Sequence, residues 1–232
     1  MEVSVIIPTL NEEKNIKNLL NSLKKQTYKG KYEIIVADGN SEDKTREIAK
    51  KYTNKVLIEK IRNAAAERQA GAKSAEGKIL LFVDADSIAD ENWIQEIVNC
   101  FEHKDVVSAG GKIGPLEEDT LIQVGSKFWS LAVYASLLVR LPLVVGSNLA
   151  IKKEVFDKIG GFETNKISGE DTTLIRSASK YGKYKYNPKA KVYVSIRRIK
   201  RMGRINYLFF HIKNHFNTYL FNKPSINYEP IR

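Results

Sequence analysis

The sequence predicts an α/β fold, with a mainly parallel central sheet flanked by helices and a C-terminal amphipathic helical appendage. Three observations predict it. Short β-branched runs alternate with longer amphipathic runs through the first half of the chain, the pattern of β-α-β units. Small polar and acidic residues follow three of the short runs, where the carboxyl ends of parallel strands form a crevice that binds ligands. A hydrophobic share of 43% in 232 residues is enough for a large buried core.

The elements follow in order. Val3 to Ile7 is the first strand. Asn11 is placed as the N-cap, with Glu12 and Glu13 in the first turn, of a helix running to about Gln26 that sets Ile16, Leu19, Leu20 and Leu23 on one face. Tyr32 to Ala37 is the second strand; Asp38-Gly39-Asn40 turns the chain, and Ser41 is placed as the cap of a helix through Ile48 and Ala49. Lys55 to Ile58 is a short third strand. Ala64 to Ala75 is Ala-rich and helical, and Ile79 to Val83 is a wholly apolar strand ending in Asp84-Ala85-Asp86.

Beyond that point the pattern loosens. Glu91 to Phe101 is a helix with Trp93, Ile94, Ile97, Val98 and Phe101 inward, and Val106 to Ala109 a strand. Leu121 to Leu138 is apolar around much of its circumference. Leu143 to Ile151 is expected to be strand, Lys152 to Ile159 a helix stopped by Gly160-Gly161, Thr172 to Tyr181 a helix and Lys191 to Ser195 a strand. Ile205 to Phe221 carries Ile205, Leu208, Phe209, Ile212, Phe216, Tyr219 and Leu220 at helical spacing. With no internal repeat or low-complexity linker, the expectation is one domain, residues 1–198, and a basic, aromatic helical tail, residues 199–232.

The formal charge is +11, and it is unevenly placed. Met1 to Asp171 holds 24 basic and 26 acidic residues, whereas Thr172 to Tyr228 holds 13 basic residues and no acid. A nucleic-acid binder charged over its whole length is therefore not expected. Cys100, the single cysteine, excludes an intramolecular disulfide framework and is expected in the core. The opening MEVSVIIPTLNEE lacks the pattern of a secretory signal. The longest apolar stretch, Leu131 to Gly146, is broken by Arg140 and Pro142 and falls short of the ~20 residues that span a bilayer. The tail joins an apolar face to six aromatics, a composition suited to peripheral contact with an anionic membrane, with Phe128 to Val145 as a second apolar surface. The expected location is cytoplasmic, at the inner face of the cell membrane.

Three strand ends carry the chemistry: Pro8-Thr9-Leu10-Asn11-Glu12, Asp38-Gly39 and Asp84-Ala85-Asp86. Two carboxylates one residue apart, just past a buried strand, can turn toward one point and hold a divalent cation through hard oxygen ligands. Taken singly, Asn11, Asp38 and Ser41 also suit turns and caps, and Glu170-Asp171 also suits a helix start. Gly39 to Thr45 lacks the glycine that a phosphate loop needs before its lysine, here Asp43. His211 and His215 lie four apart on one helix and could ligate a metal, although no His-Glu-x-x-His pattern is present. Arg197 and Arg198, just past the last predicted strand, have the planar forks that suit phosphate oxygens.

SVIIPTLNEEKNI, ADGNSEDKT, RQAGAKSAEGKILLFVDADS, GSNLAIKKEVFDKIGGF and GEDTTL together resemble, in order and spacing, the family 2 glycosyltransferases with the Rossmann-like GT-A fold, over roughly residues 3 to 198. The resemblance implies a nucleotide-diphosphate sugar donor, a divalent metal (Mg or Mn) and a lipid-linked or glycan acceptor. It implies that Pro8, Thr9, Asn11, Glu12 and Asp38 line the nucleotide pocket, with Arg68 near the nucleotide and Asp84 on the ribose or assisting the metal. Asp86 matches the metal ligand, Asp171 the general base, Glu170 a support of the acceptor site and Asn148 a neighbour of the transferred sugar. A single base with direct in-line attack implies inversion of configuration. Two alternatives remain open: a polyprenyl-phosphate sugar synthase, from which ADGNSEDKT and DADSIAD depart, and a non-catalytic scaffold that binds polyanions or membrane.

Overall fold

A computed structural model describes residues 1–138, 142–166 and 168–221. Arg140 and residues 222–232 lie outside the described residues, as do the side chains of Ile205, Leu208, Ile212, Phe216, Tyr219, Leu220 and Phe221. Strands β1 (Val3–Thr9), β2 (Tyr32–Asp38), β3 (Lys55–Ile58) and β4 (Ile79–Phe82) alternate with helices α1 (Ile16–Lys24), α2 (Thr45–Ala49) and α3 (Ala64–Lys73). Then come β5 (Ser87–Ala89), α4 (Trp93–Val98), β6 (Val106–Pro115), α5 (Thr120–Leu138), β7 (Leu149–Lys152), α6 (Lys153–Lys158), α7 (Glu170–Ala178) and β8 (Lys183–Val194). The described chain closes with α8 (Arg197–Met202) and α9 (Arg204–Phe221).

The strands form one sheet in the order β3-β2-β1-β4-β7-β6-β8-β5. Pairing is parallel across β3-β2-β1-β4, as expected for β-α-β units. Beyond β4 the sheet is mixed: β7 runs antiparallel to β4 and β6, β8 is parallel to β6, and β5 is antiparallel to β8. Alternation along the buried β1 divides the core. Val3, Val5 and Ile7 face a cluster with Leu19, Leu20 and Leu23 of α1 and Trp93, Ile94 and Ile97 of α4; Cys100 lies there too, as expected. Ile6 faces the opposite cluster, with Ala72 of α3, Phe156 of α6 and Leu174, Ile175 and Ala178 of α7. Gly71 lets α3 approach this face closely, because a Cβ there would lie 2.5 Å from Ile6 Cγ2.

Several boundaries differ from the sequence expectation, for local reasons. Asn11 is no helix cap; it sits at φ 55°, in the left-handed region that Asn tolerates better than most residues. The backbone N–H groups of Asn11, Glu12 and Glu13 donate to Ser41 Oγ, Thr45 Oγ1 and Asp43 Oδ2, which ties the loop to the next turn and delays α1 to Ile16. Ser41 likewise serves Asp38 instead of capping α2. Part of the predicted strand Leu143 to Ile151 is a 3₁₀ turn at Gly146–Asn148, with β7 beginning at Leu149. β6 and β8 extend well past their predicted spans because they pair with each other from Val106↔Lys183 to Pro115↔Val194.

The C-terminal helices start with α8 at Arg197. The inner face of α9 lies on α7: Thr218 and Asn214 are buried, Ser168 Oγ donates to Asn214 Oδ1 at 3.4 Å, and a Cβ on Gly169 would lie 2.5 Å from Thr218 Oγ1. Among the described residues no helix is long and apolar enough to cross a membrane.

Candidate active site

Parallel pairing brings Thr9 opposite Asp38 at the ends of β1 and β2. Thr9 Oγ1 donates to Asp38 Oδ2 at 2.9 Å, and Ser41 donates from its backbone N to Oδ1 at 2.7 Å and from its hydroxyl to Oδ2 at 2.6 Å. Arg46 Nε stands 3.6 Å from Oδ1. Asp38 is fully buried, so its carboxylate shapes the turn beneath the loop. Pro8 lies within β1, and Asn11 fastens the loop from the other side, its Oδ1 accepting from Glu42 N at 2.9 Å. A Cβ on Gly39 would lie 2.3 Å from Oε1 of the buried Glu67, so any side chain there would have to displace that carboxyl.

The second group of carboxylates follows β4. Arg68 extends one nitrogen to Asp84 Oδ1 at 2.7 Å and the other to Glu170 Oε1 at 2.6 Å. With Arg68 only 3% exposed, this is a buried fork whose two ends match two carboxylates. It fastens the end of β4 to the first turn of α7. Asp86 Oδ2 lies 3.0 Å from Arg197 Nη2, and the same guanidinium pairs with Glu12, Nη1 reaching Oε2 at 3.2 Å. Burial, reinforced by Asp84 and Glu12 and opposed by Arg197 and Arg198, pushes the Asp86 carboxyl up to about 6. Arg197, the first residue of α8, thus stands beside the acidic strand end, and the Arg198 charge acts on Asp86 as well.

Asp171 occupies the first turn of α7, after Gly169 at φ 69°. Burial and the adjacent Glu170 push its carboxyl up to about 7, against Arg68 and the backbone N–H groups of Thr172 and Gly146. Such a carboxylate changes protonation near neutral pH, as a general base requires.

A divalent cation fits the donor set in part. Asp84 and Asp86 offer hard oxygens, and Asp84 and Glu12 crowd Asp86 with negative charge that a cation would relieve. No group of three or more metal-ligating side chains occurs among the described residues, so a ligand's oxygens would have to complete the shell. His211 and His215 do not form such a group. The His211 ring lies tilted against that of Tyr207, centroids 4.3 Å apart, with a buried Nε2 that has no hydrogen-bond partner, and burial with Arg198 nearby pushes it down to about 4.

Asn148 closes the 3₁₀ turn that precedes β7. It is buried, with both amide hydrogens donated to the carbonyls of Lys112 and Ala190 and its oxygen accepting from Trp93 Nε1. The side chain pins β6, β8 and α4 together. Sequence reasoning missed Arg46, Glu67 and Thr172, and for Arg68 it missed the bridging role. A buried charge pair 102 residues apart leaves no local signal.

A family model described as Glycosyl transferase family 2 matches residues 4–160. Glycosyltransferase AglE of Haloferax volcanii is 31% identical over 189 residues, covering 78% of this chain and 62% of that protein. The glucosyl-dolichyl phosphate glucuronosyltransferase of the same organism is 26% identical over 178 residues, covering 71% and 57%. The chain thus spans less than two thirds of these relatives' lengths. The mannosyltransferase PcManGT from Pyrobaculum calidifontis, solved with GDP-Man and Mn2+, superposes with a TM-score of 0.77 at 20% identity, over 97% of this chain and 65% of that one. That likeness shows the shared GT-A fold.

Proposed function

The chain belongs to glycosyl transferase family 2, and on that premise we propose that it is an inverting transferase moving a sugar from a nucleotide-diphosphate donor to a lipid-linked or polysaccharide acceptor. One observation supports the reading: Arg68 joins Asp84 just past β4 to Glu170 at the start of α7, which ties the acidic strand end to the turn whose Asp171 carboxyl is pushed up to about 7. The loop after β1, braced by Asp38 and Ser41, forms the nucleotide wall with Pro8, Thr9, Asn11 and Glu12. Asp86, assisted by Asp84, would hold Mg or Mn; when bound, the ion stabilises the charge that develops on the diphosphate. Arg197 and Arg198, beside Asp86, are placed to meet donor phosphate oxygens.

Asp171 accepts the proton of the acceptor hydroxyl as it attacks the anomeric carbon. The two H. volcanii relatives are named as glycosyltransferases, one for a dolichyl-linked sugar, which supports a lipid-linked acceptor here. Peripheral membrane contact is supported by the outer face of α5, where Phe128, Leu131, Tyr134 and Leu138 are exposed, and by Phe209 on α9, 71% exposed. The test of the donor site is thermal: UDP, GDP or dTDP with Mn should raise the melting temperature, and Asp86→Ala should remove the shift. A shift that survives in Asp86→Ala removes Asp86 from the metal site.

A further inference from the structure

Helix α9 meets α7 at the turn that carries Asp171. Asn214 reaches Ser168, Thr218 fills the space above Gly169, and His215 Nδ1 lies 3.3 Å from Thr172 Oγ1. Thr172 Oγ1 is in turn 3.4 Å from Asp171 Oδ1, the oxygen that also accepts from Thr172 N at 2.7 Å. Thr172 is buried and owns one hydroxyl proton. If that proton is directed at the carboxylate, His215 must present an N–H at Nδ1, which a neutral imidazole does in one of its two tautomers. Burial favours the neutral ring by lowering its pKa. The three groups then form a directed chain, imidazole N–H to hydroxyl to carboxylate, beginning on the tail helix and ending on Asp171.

We propose that His215 is a positioning residue for glycosyl transfer: through the Thr172 hydroxyl it fixes the orientation of the Asp171 carboxylate, so that α9 completes the active site. The proposal rests on the reading of Asp171 as the base. It assigns the tail a role in turnover separate from any membrane contact.

The test is steady-state hydrolysis, with Mn, of the UDP-, GDP- or dTDP-sugar that the protein turns over. His215→Ala should lower kcat about tenfold with donor KM held within about twofold. His215→Asn, whose side-chain amide can place an N–H near the position of imidazole Nδ1, should recover most of that loss. Thr172→Val, which keeps the volume and removes the hydroxyl, should lower kcat by a similar factor, and His215→Ala added to it should lower kcat no further. Wild-type kcat in His215→Ala overturns the proposal, as does an equal loss in the Ala and Asn variants, which would mark packing alone. Independent, multiplying losses in the double variant overturn it too. Full kcat in Asp171→Asn would instead remove the base reading itself, whereas loss there beside a normal His215→Ala removes only the role of His215.

Discussion

The carboxyl ends of β1 and β2 and the start of α7 both present carboxylates, but they hold them in opposite ways. Asp38 is met by a threonine hydroxyl, a serine hydroxyl and a backbone N–H within a short stretch of chain. Asp171 is dominated by burial and by the like charge of Glu170, with Arg68 as the countercharge, and rises to about 7. A carboxylate surrounded by donors is a brace; one that is desolvated beside another acid is poised to exchange a proton. Asp84 and Asp86 stand between the two regions, linked to the first through Arg197 and Glu12 and to the second through Arg68.

The largest expected effect breaks the poised side. Asp171→Asn should reduce turnover on the order of a hundredfold or more while nucleotide and Mn still raise the melting temperature; undiminished transfer to hydroxyl acceptors would reassign the base. The pH profile sharpens the same point. A base at about 7 must be ionised to work, so kcat/KM should climb as pH rises through about 7 and flatten above it. Stability moves the other way. The folded state keeps this proton over a range in which an unfolded carboxyl, with a pKa of about 4, has lost it. The Asp171 contribution therefore falls as pH rises from about 4 to about 7 and is constant above. Denaturant melts of Asp171→Asn should show a shallower decline across that window.

Next in size is the link between the regions. Arg68→Met removes the buried fork and leaves Glu170, 14% exposed, and Asp84, 37% exposed, without it; because water reaches Asp84, the loss is about 2–3 kcal/mol, below that of a fully buried pair, and chemical denaturation would read it. A loss below about 1 kcal/mol would show that water had replaced the guanidinium and that the bridge was not truly buried. Asn148→Ala, which deletes three buried hydrogen bonds, should cost about 2–3 kcal/mol; a rise in donor KM at unchanged stability would instead return Asn148 to the sugar site. The smallest effect on folding belongs to α5. Phe128→Ser with Leu131→Ser should reduce flotation with anionic vesicles while stability changes by under about 0.5 kcal/mol. Unaltered flotation would move the membrane contact elsewhere.

The same contrast explains what was legible in the sequence. Strand segments buried on both faces read as apolar runs, so β1, β4 and the end of β2 stand out, with the acids that follow them. Only the end of β8, within Lys191 to Ser195, is legible, because its first residues alternate Lys with Tyr and its partner β6 lies nearly eighty positions away. Asn11 looked like a cap because its chemistry suits one; only the side chains of Ser41, Asp43 and Thr45, arriving from the next turn, reveal its left-handed loop. The five blocks behind the family resemblance included Asp171 and Glu170 but carried no sign of Arg68 reaching both sides or of α9 closing on α7. Those contacts span 102 and 43 positions, and long-range pairing leaves no periodicity to read.

The central claim is that the strand-end carboxylates and α7 form one donor-using catalytic centre. The most direct measurement is hydrolysis of UDP-, GDP- and dTDP-sugars with Mn by the wild-type chain and by Asp86→Ala and Asp171→Asn. Metal-dependent turnover of at least one donor, lost in both variants, is the expected result; turnover that persists in both would contradict it.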